Sequence, residues 1–199
     1  DFKFFILYKV ISDLSEINFN SFKINFTIIG DGDLSEDLKV FCKSYNNISF
    51  TFIEDLQNDL LDYELSNKNI VFAMGTSALD AANLGIPTVC LDYSYKKITG
   101  SYLYSWIYDI KNFDLASNIE DICNEKRFSL KEIFNHLIEN QSAIARKSYN
   151  YCKQNHLISK NIMNFTEIVK NNNVDYQNLK VKSFLKESKI YKIYNEIRN

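Results

Sequence analysis

Short apolar runs rich in Phe, Ile and Val alternate with longer segments of helical periodicity through the first ninety residues of the chain. The runs have the length of β-strands, and they are too uniformly apolar to be strands with one exposed face. This alternation is typical of right-handed βαβ units, in which helices cover both faces of a parallel sheet. We therefore expect an α/β fold built on a Rossmann-like doubly wound parallel sheet, followed by a helical C-terminal tail.

The pattern predicts the extent of each element. The expected strands are residues 2–10, 24–29, 48–53, 70–74 and 88–91, and the expected helices between them are residues 34–45, 56–66 and 77–84, the first of these capped by Asp33. An aromatic stretch at residues 102–108 then leads to helical segments near 118–123, 130–139, 142–154 and 159–170. We expect this stretch to pack in the core, with stacking on a sugar ring as the alternative. The expected domains are residues 1–170 and a basic helical segment at 174–199.

Charge and cysteine content exclude several classes of protein. The net charge is −2, which does not favour a general nucleic-acid binder. Residues 174–199 carry three acids and six bases, so this segment is expected either to lie solvated against the protein or to contact an anionic membrane surface. The four cysteines are far apart in the sequence, which predicts neither a zinc site nor a disulfide framework. We expect a cytoplasmic protein, with a location at the inner face of the membrane as the alternative.

A first candidate site is the glycine turn Gly30-Asp-Gly32, between a predicted strand and a predicted helix. Glycines allow a ligand to approach main-chain N–H groups at a helix N-terminus, where anions are favoured. Glu54, at a strand end further on, would complete a dinucleotide fingerprint of the NAD-binding type. Ser35 stands where that fingerprint has its third glycine, however, and a simple tight turn is a further alternative.

A second segment, Gly75-Thr-Ser-Ala-Leu-Asp-Ala-Ala-Asn-Leu-Gly-Ile-Pro87, is more specific. Gly75 ends a predicted strand, and Thr76 is expected to cap a helix whose N–H groups face the carboxyl end of the sheet, where open α/β folds bind ligands. Asp80 lies one turn into that helix, on the same face as Thr76, within reach of vicinal hydroxyls on a ribose. The spacing therefore indicates a nucleoside diphosphate. The alternative is a helix C-cap leading into a strand, with Asp80 as a solvated acid.

This second segment resembles the donor-binding signature of glycosyltransferases with two Rossmann-like domains, the GT-B type, and Gly30-Asp-Gly32 matches the glycine turn of the same domain. The resemblance covers roughly residues 2–92. It implies that the chain is the C-terminal, nucleotide-sugar-binding half of such an enzyme, which acts in polysaccharide or glycoconjugate assembly. The N-terminal acceptor domain is then missing from this chain, and we expect the chain to bind the donor but to be inactive alone.

The resemblance also assigns roles to particular residues. Gly75, Thr76 and Ser77 would bind the diphosphate, and Asp80 would bind the ribose. Gly30 and Gly32 of the first turn would lie near the transferred sugar, and Glu54 would lie beside the base. Lys9 and Lys96 would neutralise the phosphates.

The sequence departs from the family at the pair of glutamates found in many retaining members, since Phe72 and Asp80 occupy those positions. The catalytic base is not identified, and no cofactor or metal is expected because there is no Asp-x-Asp motif. The alternative interpretations are a sugar-nucleotide epimerase of the same architecture and a non-catalytic nucleotide-sugar-binding module. An NAD-dependent oxidoreductase is the least favoured alternative. The base, sugar, acceptor and stereochemistry of transfer stay open at this point.

Overall fold

The computed structural model describes residues 2–18, 22–111, 114–122 and 126–171. The chain divides into two compact units, residues 1–157 and residues 158–199. The expected basic helical segment at 174–199 lies outside the described residues. Among the described residues, no helix is long and apolar enough to cross a membrane.

The first unit is a mixed α/β structure. Its elements in chain order are α1 (Phe4–Glu16), β1 (Ile24–Ile29), α2 (Ser35–Cys42), β2 (Ile48–Ile53), α3 (Asn58–Ser66), β3 (Val71–Ala73), α4 (Thr76–Asn83), β4 (Thr88–Cys90), β5 (Ser105–Trp106) and α5 (Leu130–Asn155), with short 3-10 turns at Ile107–Asp109 and Ile119–Asp121. The α/β class and the alternation of strands and helices from residue 24 onward are therefore confirmed.

The strands form two small sheets. β1 and β2 are parallel, with Ile24 opposite Ile48 and Ile29 opposite Ile53. In the other sheet β3 and β4 are parallel, and the short β5 runs antiparallel to β4. The parallel pairing of each βαβ unit is thus present, whereas the structure does not hydrogen-bond β1 to β3.

The predicted strand at residues 2–10 is wrong, because residues 4–10 form the first part of α1 and residues 2 and 3 form a turn. Ile6, Val10 and Leu14 recur at four-residue intervals and, with Ile11, are buried on one helix face. Lys9 and Asp13, also four residues apart, form an ion pair of 2.6 Å that only a helix brings together.

The helical tail is present with different boundaries. The two segments expected at 130–139 and 142–154 form the single helix α5, which departs from helical geometry at Asn140. Its start is fixed by a capping box, in which Ser129 and Glu132 bond each other's backbone N–H. Asp33 does not cap α2, since Leu34 occupies the N-cap position.

The core of the first unit lies between the helices and the two sheets. Its largest fully buried side chains include Trp106 and Tyr104, from the aromatic stretch, together with Ile6 and Leu14 of α1 and Ile133 of α5. The expectation that the aromatic stretch packs in the core is confirmed. Tyr104 also donates a hydrogen bond of 2.7 Å to Asp13, which fastens α1 to the segment before β5.

The second unit is described only as α6 (Ile158–Asn171). Ile158, Ile162, Phe165 and Val169 recur at intervals of four, three and four residues, so they lie along one face of this helix. All four side chains are more than half exposed.

Candidate functional site

A cavity of about 780 Å³ runs beside β1 and β3. Its walls include nearly every residue of β1, all of β3, and side chains from α3, α4 and α5. Two residues predicted to bind the donor, Ser77 and Asp80, lie on its wall, and Ile29, the neighbour of Gly30, also lines it. A cavity of this size is in the range that binds small molecules and nucleotides.

The segment from Gly75 to Ser77 turns the chain sharply from β3 into α4. Gly75 has φ +61° and ψ −138°, a backbone conformation that L-residues other than glycine rarely adopt. Gly75 occupies the N-cap position and Thr76 is the first helical residue, so the prediction that Thr76 caps the helix is wrong. The Gly75 N–H already donates to the Leu115 carbonyl at 3.1 Å, so the prediction that Gly75 binds the diphosphate through its N–H is wrong. Since the first N–H groups of a helix have no partner within it, the donors that remain for an anion at the start of α4 are those of Thr76 and Ser77.

Replacing Gly75 should be costly for conformational reasons alone. A methyl group at Gly75 meets no atom within 4 Å, so the Gly75→Ala variant tests backbone strain without a steric clash. We expect it to lower the free energy of unfolding by about 1–3 kcal/mol in urea denaturation. Gly100→Ala, which also meets open space but has no positive φ, is the matched control and should change stability by less than about 0.5 kcal/mol. Equal stability of the two variants would contradict the assigned conformation of Gly75.

Asp80 lies about one helical turn beyond Ser77. The two positions are three apart in the sequence, and both side chains lie on the cavity side of α4. Partial burial raises the pKa of the Asp80 carboxyl, and the negative charge of Asp62 on α3 raises it further. A hydroxyl donor or a cation bound next to Asp80 would relieve this unfavourable environment.

The Gly30–Gly32 turn is arranged differently from the expectation. Gly30 has φ +124°, and its N–H donates to the carbonyl of Ile53 at 2.9 Å. The Gly32 N–H donates to the Asp31 carboxylate at 2.7 Å. Both amides are therefore engaged by the protein, and the Asp31 side chain occupies the position that a ligand anion would need at Gly32.

Seven of the nine donor-binding candidates are not among the residues that line the cavity, namely Gly30, Gly32, Glu54, Gly75, Thr76, Lys9 and Lys96. Lys9 sits within α1 and pairs with Asp13, so it does not reach the cavity as a cation for the phosphates. Lys96 is exposed and lies 3.3 Å from Glu120, while the exposed Glu54 lies 3.6 Å from Lys39. The structure thus brings Ser77 and Asp80 together at the cavity but does not bring Lys9, Lys96 or Glu54 to it.

Two lysines that the sequence pattern did not single out do line the cavity. Lys23 precedes β1, and Lys68 precedes β3. The Lys68 ammonium group pairs with Glu64 and donates a 2.8 Å hydrogen bond to the Thr27 hydroxyl of β1. The sequence did not mark these lysines as candidates, because open α/β folds bind ligands at the carboxyl ends of strands and both lysines precede a strand.

A buried polar network follows β4. The Asp92 carboxylate accepts hydrogen bonds from Tyr102 and Arg127, each at 2.7 Å, and from the Ser117 N–H at 3.2 Å. Burial and the neighbouring Asp92 charge raise the pKa of the Tyr102 hydroxyl, which therefore acts as a neutral donor. With its oxygens occupied in this way, Asp92 ties together the segments on either side of β5. The sequence feature that could have indicated this network is an acid, Asp92, directly after the apolar run at residues 88–91.

No group of three or more His, Cys, Asp or Glu side chains in the described ranges is arranged to hold a metal ion. Comparisons of the chain with family models, with curated proteins and with solved structures gave no match.

Proposed function

We propose that this chain is the nucleotide-sugar-binding domain of a glycosyltransferase, with the donor's diphosphate at the start of α4. The observation that carries the proposal is the strained Gly75 turn, which opens α4 beside a large cavity with Asp80 on its wall. The parallel β1–β2 and β3–β4 pairs, each joined through a helix, support a Rossmann-like doubly wound arrangement for the domain.

The chemistry of such a site is electrostatic. As the bond between sugar and phosphate breaks, negative charge gathers on the departing nucleoside diphosphate. The N–H groups that open α4 and the Ser77 hydroxyl stabilise this charge where it develops. The Asp80 carboxylate accepts hydrogen bonds from vicinal ribose hydroxyls and fixes the nucleoside beside the phosphates.

The cations of the site differ from those predicted from the sequence. Lys68 and Lys23 lie on the cavity walls, whereas Lys9 and Lys96 do not. Both lysines precede a strand and α4 follows one, so the proposal assigns neither of them to the diphosphate at the start of α4. Transfer itself requires an acceptor site, which the proposal assigns to a separate domain.

Isothermal titration calorimetry with UDP, GDP, CMP, ADP and NAD tests the proposal. We expect one nucleoside diphosphate to bind, and a thermal melt at 100 times its dissociation constant to show about 2.7 kcal/mol of added stability. Asp80→Asn removes the charged acceptor and should weaken binding about tenfold to a hundredfold, since hydrogen bonds to charged groups contribute about 1.5–3 kcal/mol. Asp59→Asn, an exposed acid on α3 away from the cavity walls, is the matched control and should bind like the unmodified chain.

The raised pKa of Asp80 adds a pH signature to the same titration. Because only the carboxylate accepts both ribose hydroxyls, affinity should fall as the pH is lowered through the raised pKa of Asp80. The Asp80→Asn variant should lack this part of the pH dependence. Binding of NAD alone, or equal affinity of the Asp80→Asn and Asp59→Asn variants for the nucleotide, would contradict the proposal.

A further inference from the structure

Among the described residues, the edge of β1 away from β2 and the edge of β3 away from β4 pair with no strand, and both edges line the same cavity. β1 is hydrogen-bonded to β2 along one edge, and β3 is hydrogen-bonded to β4 along one edge. The main-chain groups on the opposite edge of each strand therefore point away from these partners. The cavity is lined by the consecutive residues 24–27 of β1 and by all of Val71–Ala73 of β3. Neighbouring residues of a strand point to opposite faces, so a cavity that contacts each of them lies along the strand edge.

The hydrogen-bond pattern shows which main-chain groups point to the cavity. The Gly30 N–H bonds to β2, so by alternation the N–H groups of Phe26 and Ile28 also point to β2. Those of Asn25, Thr27 and Ile29 then point to the cavity. In the second sheet the Val71 N–H and the Ala73 carbonyl bond across to β4, which directs the N–H of Phe72 to the cavity.

The remaining walls are mostly apolar. α3 contributes Leu61 and Leu65, and α5 contributes Phe134 and Leu137. The charged residues on the walls are Lys23, Lys68 and Asp80. Two rows of main-chain donors and acceptors among apolar helices match one kind of occupant, an extended apolar polypeptide strand.

We propose that a parallel β-strand fills this cavity between β1 and β3, and that this strand is polypeptide joined directly ahead of α1. The connection through α1 argues for this source. A strand in the cavity followed by α1 and then β1 forms one βαβ unit, the only parallel connection that α1 can complete. The thirteen residues of α1 span about 20 Å, which matches the roughly 20 Å of a six-residue strand such as β1.

The filled cavity would join the two small sheets into one. The strand order becomes β2, β1, the inserted strand, β3, β4 and β5. The chain direction across the sheet reverses between the inserted strand and β3, which is the place where doubly wound folds bind ligands at the strand carboxyl ends. The hydrogen bond from Lys68 to Thr27 would open to admit the strand. The strand takes the part of the cavity between β1 and β3, so the nucleotide of the proposed function would lie beyond it, where Ser77 and Asp80 of α4 meet the carboxyl ends of the strands. The strand pairing is tested without any nucleotide.

Fusion of a strand ahead of α1 tests the proposal. Three chains each carry a different six-residue segment of Val, Ile and Phe, followed by Gly-Ser-Gly, ahead of Phe2. Three matched controls carry the same segments with Pro at two central positions, because proline removes main-chain donors. Amide hydrogen exchange by NMR is measured at Asn25, Thr27, Ile29 and Phe72, with Phe26 and Ile28, already bonded to β2, as internal references.

We expect at least one fusion to slow exchange at Asn25, Thr27 and Phe72 by tenfold or more relative to its proline control, with little change at Phe26 and Ile28. The fusion should stay monomeric by light scattering. Equal exchange in all three fusions and their controls would overturn the proposal. So would a concentration-dependent dimer of the unfused chain that protects the same amides, since a second copy would then occupy the cavity.

Discussion

The Asp92→Asn variant should lose about 3–5 kcal/mol of unfolding free energy. Asp92 and Arg127 are both almost fully buried, and their side chains lie 2.7 Å apart. Removing one charge of a buried pair leaves the other without compensation, which costs far more than the pair contributes when intact. For a chain of this length the loss corresponds to a melting temperature lower by roughly 6–20 °C. Urea denaturation followed by the fluorescence of Trp106, the single tryptophan, measures the change.

The partner variant and a surface pair complete this test. Arg127→Met should also lower the free energy of unfolding strongly. Because Asp92 and Arg127 interact directly, the loss in the double variant should be smaller than the sum of the two single losses, with a difference of more than about 1 kcal/mol. Glu120→Gln disrupts the exposed pair with Lys96 and should cost less than about 1 kcal/mol. A loss for Asp92→Asn as small as that for Glu120→Gln would contradict the buried network.

The Trp106→Ala variant should lose about 3–5 kcal/mol. Trp106 is 1% exposed, belongs to the main core cluster and stacks on Tyr108 with ring planes 7° apart. Truncation therefore removes a large apolar surface and leaves a cavity among side chains that are already packed. Equilibrium unfolding followed by far-UV circular dichroism measures the loss without relying on tryptophan fluorescence.

Two further variants separate packing from polar effects at Trp106. Among the described residues the indole N–H has no hydrogen-bond partner, so Trp106→Phe gives up no bond and should cost clearly less than Trp106→Ala. Tyr63→Ala, at a side chain 70% exposed on α3, should change stability by less than about 0.5 kcal/mol. Similar losses for Trp106→Ala and Tyr63→Ala would show that Trp106 is not in the core.

Local sequence patterns predicted β1 and β2 with their observed limits. Each is a six-residue run rich in Phe and Ile between polar turns, so local propensity and burial agree. Residues 2–10 misled the same reasoning because Phe, Ile and Val also suit strands. The helical period becomes visible only when the window extends to Ile11 and Leu14, which share the buried face with Ile6 and Val10.

The candidate site was predictable only where it depends on nearby residues. The Gly75 turn and the placement of Asp80 on the same helix follow from residues within six positions of each other. The contact of Tyr104 with Asp13, the partner of Lys9, could not be predicted, because these two residues are 91 positions apart. The absence of hydrogen bonds between β1 and β3 could not be predicted either, because the neighbours of a strand depend on the whole sheet and not on its local sequence.

The most direct test of the central claim is an NMR titration of the ¹⁵N-labelled chain with the nucleoside diphosphate that binds in calorimetry. We expect the largest amide shift changes at Thr76 and Ser77, with smaller changes at Gly75 and Asp80. Saturable binding whose shift changes fall elsewhere, with the amides from Gly75 to Asp80 unmoved, would contradict it.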